Sequence, residues 1–282
     1  MDIKLFVCCH RPEVVPKHPL LIPLQVGAAL ASEHYPGFLY DDTGENISYR
    51  NHSYCELTGQ YWVWKNIEAD YYGFFHYRRY LYPRSSAGRP YCIRRMPTLD
   101  LLDGLGYSQF AQVIFQHDLI LPKGENMYVP VREHYASAPF HHREDLILME
   151  QILSECYPDY IDAMDGYLSG EVCYFGNIFI MKRELFQNYC AWLFSILREF
   201  DERKDTSTYG SQGSRVNGYL AERLLGIYCT HHQALRKIEL PRVHFVPESV
   251  ARYKKQAVNL LLPPGSRRRS WVKAIKVNGQ NG

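Results

Sequence analysis

Most of the residues that could do chemistry sit near one short stretch. Residues 70–80 run through the apolar Tyr72-Gly73-Phe74-Phe75 and empty into His76, Arg78 and Arg79. A buried strand ending in up to three cations places them where α/β sheets hold ligands, at the carboxyl end of the strands. Guanidinium groups grip phosphate oxygens two at a time and can stabilise a departing diphosphate without a metal. The plainer reading is a surface turn with solvated arginines; the apolar strand that feeds the turn favours a ligand. Lys65 and Asn66, at the end of the preceding helical stretch, are in reach of the same ligand. Asp41 and Asp42 are placed on the same donor side, bonding a ribose or sugar hydroxyl or holding a turn. With Glu45 they could instead ligate Mn²⁺ or Mg²⁺ through oxygen. Asn177, inside an apolar run, is a further donor contact or a strand-bulge residue satisfied by backbone.

A group-transfer reaction at such a site needs a base near the acceptor hydroxyl. Glu222 is the first candidate, because Gly218 and Gly226 stand four residues to either side on a helical stretch and leave its face bare. Its alternative is a pair with Arg223 or Arg215, the glycines packing on the sheet. Asp118, at a strand end beside His117, is the second candidate, and His134 the third. His134, Tyr135 and His141 read as part of a loop that closes over the acceptor. With His142, Glu133 and Glu144 they could be drawn as a metal site, but no spacing matches a zinc pattern.

The elements that must position these groups follow from hydrophobic spacing. Residues 3–8 read as a buried strand stopped by Pro12, residues 24–32 as a short Ala-rich helix, and residues 41–46 as a loop. Ser53-Tyr54-Cys55-Glu56 has the form of a capping box opening an amphipathic helix to Ile67. Residues 113–115 and 119–121 read as one interrupted strand, 144–156 as a helix and 172–181 as a strand. Helices over 184–200 and 217–229 and a strand over 238–246 complete the series. No internal repeat is visible. Strands alternating with helices imply an α/β fold with a mostly parallel sheet.

Composition narrows the function classes. The chain has 282 residues, 46% hydrophobic, with a net charge of +2 that makes no general case for nucleic acid. Eight scattered cysteines contain no C-x-x-C pair, so neither a zinc ribbon nor a disulfide framework is suggested. No window is apolar enough to span a membrane, and the start is too short and wrongly flanked for a signal peptide, so a cytoplasmic protein is expected. Beyond residue 250 the chain turns basic. Arg267-Arg268-Arg269-Ser270-Trp271 could rest on anionic lipid head groups or stay solvated.

Several motifs together carry a family resemblance: Glu56-Leu57-Thr58 with Tyr61-Trp62 and Trp64-Lys65-Asn66, then His76-Tyr77-Arg78-Arg79-Tyr80. Asp41-Asp42-Thr43-Gly44, Glu133-His134-Tyr135, Asn177-Ile178-Phe179 and Leu220-Ala221-Glu222-Arg223 extend it over about the first 240 residues. The chain resembles the bacterial capsular and exopolysaccharide synthesis proteins first catalogued as a domain of unknown function and regarded as glycosyltransferases. The resemblance implies a GT-A-like, Rossmann-like domain over residues 1–250, with residues 251–282 an appended tail. It also implies a UDP-linked hexose as donor, galactose in pyranose or furanose form first, and a saccharide acceptor; contact of the basic tail with the inner face of the membrane would bring the chain to a lipid-linked acceptor. Many GT-A enzymes hold a metal with Asp-x-Asp where this chain has His76-Tyr77-Arg78, so transfer without a metal cofactor, and with inversion, is the expectation. A non-catalytic nucleotide-sugar or saccharide-binding protein and a metal-dependent retaining transferase are the alternatives.

Overall fold

A computed structural model of the chain describes residues 1–84, 89–95 and 97–246, together with 258–259, 261–263, 266–269 and 272. Of the basic tail read as a membrane contact, Trp271 and residues 273–277 lie outside the described residues. Among those residues no helix is long and apolar enough to cross a membrane.

The strands are β1 (Ile3–Cys9), β2 (Leu21–Gln25), β3 (Leu39–Tyr40), β4 (Tyr71–His76), β5 (Arg79–Leu81), β6 (Tyr91–Arg94), β7 (Leu119–Pro122), β8 (Glu125–Asn126), β9 (Val172–Cys173), β10 (Phe179–Lys182), β11 (Lys237–Leu240) and β12 (Arg242–Phe245). The helices are α1 (Asn51–Tyr54), α2 (Leu57–Asn66), α3 (Leu99–Leu105), α4 (Phe110–Phe115), α5 (Val131–Ser137), α6 (Arg143–Cys156), α7 (Ile161–Ser169), α8 (Arg183–Arg203) and α9 (Val216–His231). The main sheet runs β11-β7-β10-β4-β1-β2-β3. β1 to β4 are mutually parallel where they pair, and β10 is antiparallel to both its neighbours. The expected α/β fold with a mixed, mostly parallel sheet is therefore present.

Alternation explains why β1 and β4 sit at the centre. Phe6 and Cys8, with Tyr72 and Phe74, face one apolar layer, while Leu5, Val7, Tyr71 and Phe75 face the other. A strand covered on both faces must be apolar throughout, which is how both read in the sequence. α8 covers the first layer with Phe186, Tyr189, Leu193, Leu197 and Phe200, spaced three or four apart. Asp201 at its end accepts hydrogen bonds from Arg50, Tyr54 and Asn217 and so ties α1 and α9 to it.

Several elements differ from their sequence reading. Residues 24–32 hold the end of β2 and a single 3₁₀ turn over Ala28–Leu30 instead of a helix. Residues 113–115 belong to α4, and the stretch carrying His134 and Tyr135 is helix α5 rather than a loop. The Ser53 capping box does not form: Cys55 takes a left-handed φ of 51°, ends α1 and starts α2 afresh at Leu57. The strand expected over 172–181 splits into β9 and β10 around Gly176 and Asn177, both at positive φ. Pro241 divides the last strand into β11 and β12, since it has no N–H to continue a ladder.

Candidate active site

Strand order locates the site. β2 and β3 add to one side of β1, and β4 then crosses to its other side, so the order in which strands are added reverses at β1 and β4. Ligands of open α/β sheets bind outside the carboxyl ends of the strands at such a switch point. Cys8 of β1 pairs there with His76 of β4. A cavity of about 830 Å³ opens over that pair, walled by His10, Gly27, Asn51, Glu56 and Arg215 among others.

His76 is well covered, and burial, with Arg79 as the nearest strong charge, drives its pKa down to about 3. The imidazole is therefore neutral at pH 7 rather than the cation its position suggested. Its Nδ1 accepts the Arg78 N–H at 3.2 Å, which leaves the proton on Nε2 as a donor. Arg78 stands over the Tyr77 ring, 4.8 Å from its centre, and Arg79 packs beside Gly176. Neither arginine lines the cavity. Arg215 does, and its Nε–H reaches Cys55 Sγ at 3.2 Å with no carboxylate salt bridge among the described residues. His10, just past β1, supplies a second imidazole whose pKa is lowered by burial and by Arg11 and Arg215.

The floor is built by unusual backbone. The antiparallel register that sets Phe179 against Phe74 carries Asn177 toward His76. Asn177, at φ 49°, donates its side-chain amide to Glu56 Oε1 at 2.8 Å and to the Gly218 carbonyl at 3.2 Å. Burial raises the Glu56 carboxyl above the ordinary range.

Other candidates from the sequence are placed differently. Asp41 is fully buried and bonds the Gly27 and Ala28 N–H groups, each at 2.9 Å, and the Ser48 hydroxyl. It shapes the loop beside the cavity and exposes no surface to a ligand. Asp42 bonds His34 at 2.7 Å, and Glu45 pairs with Tyr61 and Lys65. These acids therefore do not converge, and among the described residues no three His, Cys, Asp or Glu side chains gather to hold a metal ion. Lys65 lies against Trp64 in a separate groove, and Asn66 clamps the Glu45 backbone from both sides. Neither reaches the cavity.

Asp118 is at the opposite end of the strands from the cavity. The β7–β10–β4 register aligns it with the start of β4, five residues from His76, or about 16 Å at the strand rise. It forms a two-toothed pair with Arg236, at 2.7 and 3.1 Å. Glu222 is close to the floor, but Oε1 accepts the Gly176 N–H at 2.5 Å and Oε2 pairs with the fully buried Arg223 at 3.1 Å. The flanking glycines do not leave an open face: Gly218 backs onto Cys55, and a side chain on Gly226 would run into the Tyr167 ring. Tyr135 is buried beneath Arg223, and His141 lies between Tyr135 and Tyr219, its pKa lowered to about 3 by burial and Arg223. His134 rests edge-on against Phe175, and His142 stacks on Tyr209, apart from it.

Glu56, Arg215 and His10 were missed as site residues. Glu56 was absorbed into a capping motif, and Arg215 follows a Ser/Gly-rich loop whose path sequence does not reveal. His10 carried a readable signal, since it follows β1 as His76 ends β4.

A family model described as a domain of unknown function, DUF4422, matches residues 4–233. The chain belongs to that family. This DUF4422 chain is also similar to a solved apo structure of the WbbM bifunctional glycosyltransferase, at 32% identity and a TM-score of 0.83. The match covers 88% of this chain and 46% of that one, so the DUF4422 chain spans less than half the length of WbbM. No curated protein matches it.

Proposed function

We propose that the chain is a glycosyltransferase that moves a hexose from a UDP-linked donor to a hydroxyl of a saccharide acceptor in surface polysaccharide synthesis. The observation that carries this is the cavity at the β1/β4 switch point, which Arg215, His10 and His76 line together with the half-buried carboxylate of Glu56. Its volume of about 830 Å³ is within the range of ligand clefts and suits a nucleotide sugar. Similarity to WbbM, a glycosyltransferase by name, agrees with it.

In this reading Arg215 binds the diphosphate as the charged partner. His76 donates from Nε2 as a neutral group, and its pKa rises once phosphate is beside it. Arg79 adds field from behind His76. A leaving diphosphate gains charge as the glycosidic bond breaks, and fixed donors stabilise that charge without reorganising. Asp41, Asp42 and Glu45 bond to different partners and do not converge on one point, which supports a donor held by cations and imidazoles without a metal.

The test is release of UDP from a panel of UDP-hexoses, with a saccharide acceptor, in the presence and absence of EDTA. UDP release that requires acceptor and survives EDTA is expected, with galactose first among the donors. Activity lost in EDTA and restored by Mn²⁺ would favour the metal-dependent alternative; UDP binding with no transfer would favour a binding protein.

A further inference from the structure

Two carboxylates line the cavity. Glu33 is exposed at the rim, whereas Glu56 sits among Cys8, Cys55 and His76. The left-handed turn at Cys55 sets Glu56 at the head of α2, and the expected capping role is not taken. Asn177 fixes its Oε1, and Asn177 is itself fixed by the Gly218 carbonyl on α9. Three separate elements thus converge to hold one acid in a cavity that already holds Arg215. No cation forms a salt bridge with Glu56 among the described residues, although Arg215 and Glu222 act on it through space. Glu56 is half-buried and held by an amide instead of a cation, so its carboxylate faces the cavity without being neutralised by a salt bridge.

We infer that Glu56 is the catalytic base, taking the proton of the acceptor hydroxyl, and that Asn177 is its positioning residue. The inference rests on the transferase reading above. In the step, the acceptor O–H yields its proton to a Glu56 oxygen while its lone pair forms the bond to the anomeric carbon. The bond from that carbon to the diphosphate oxygen breaks, and its electron pair leaves on UDP. Glu222, the base suggested by sequence, has both oxygens occupied by Gly176 and Arg223 and serves to anchor the 176–177 turn. Burial raises the Glu56 carboxyl, Glu222, Cys8 and Cys55 lie near it, and Arg215 pulls the other way. A raised value brings the base closer to the working pH, where proton transfer is most efficient.

The full chain with Glu56→Gln tests this, because glutamine can still accept the Asn177 hydrogen bond yet cannot take a proton. Transfer should fall by at least about 100-fold, while UDP still raises the unfolding temperature as in the wild type. The wild-type pH profile should show an acid limb above the ordinary glutamate range, and Asn177→Asp should move that limb to higher pH by adding a like charge. Glu56→Gln transferring at the wild-type rate, or losing UDP-induced stabilisation, would overturn the assignment while leaving the transferase reading intact. A wild-type chain that transfers from no UDP-hexose overturns both.

Discussion

At the scale of single residues, pairing decides which charged groups are free to act. Asp118 and Glu222 were attractive as bases because of what surrounds them in sequence, yet each is spent on an arginine. Arg236 holds the Asp118 carboxyl below the usual range. That interaction stabilises the fold above the unfolded-state aspartate value of about 3.9 and is lost as pH falls through the lower folded value. Asp118→Asn should therefore leave transfer within about twofold of wild type, as expected for a group remote from the reacting atoms. It should lower the urea midpoint slightly at pH 7, and the two proteins should converge at the acid end of the titration. A loss of transfer with the fold intact would return Asp118 to the site. The cluster after β4 was expected to be cationic, but burial, with Arg79 close by in sequence, leaves His76 neutral, and burial is set by neighbours distant in sequence.

At the scale of elements, the long amphipathic segments were readable and the short ones were not. β1, β4, α6, α8 and α9 all fall close to their expected places, because a face of several apolar residues admits one period. The Cys55 and Asn177 turns broke expectations because left-handed backbone at a non-glycine residue is sustained by tertiary contacts. The glycines of α9 show the same dependence. Gly226→Ala should destabilise the protein by about 1–3 kcal/mol through overpacking against Tyr167, despite better helix propensity. Gly104→Ala in α3, with no atom within 4 Å of the added carbon, should stabilise by about 0.5–1 kcal/mol. Thermal or urea unfolding of the pair checks the contrast. Equal effects would mean that helix propensity, not packing, governs α9.

At the scale of the whole molecule, the site exists because strand order reverses beside β1. A cavity there draws Cys8, Glu56, His76 and Arg215 from across two hundred residues of chain. UDP binding to that cavity should stabilise the native state by about 2.7 kcal/mol at a hundredfold excess over Kd. Arg215→Ala should weaken UDP about tenfold or more, as expected for loss of a charged hydrogen bond, with the fold unchanged in the absence of UDP. Unaltered UDP affinity would move the diphosphate away from Arg215. From sequence alone came the α/β class, the central strands, the place of His76 at the end of one of them and the likeness to polysaccharide-synthesis transferases, since apolar period and local motif are properties of neighbouring residues. Tertiary structure alone decided that Glu56 rather than Glu222 lines the cavity, that Arg215 joins it, and that Asp41, Asn66 and Asp118 bond to backbone groups or to Arg236. Those outcomes depend on which distant groups meet and on how much water is left between them, and neither is written in local order.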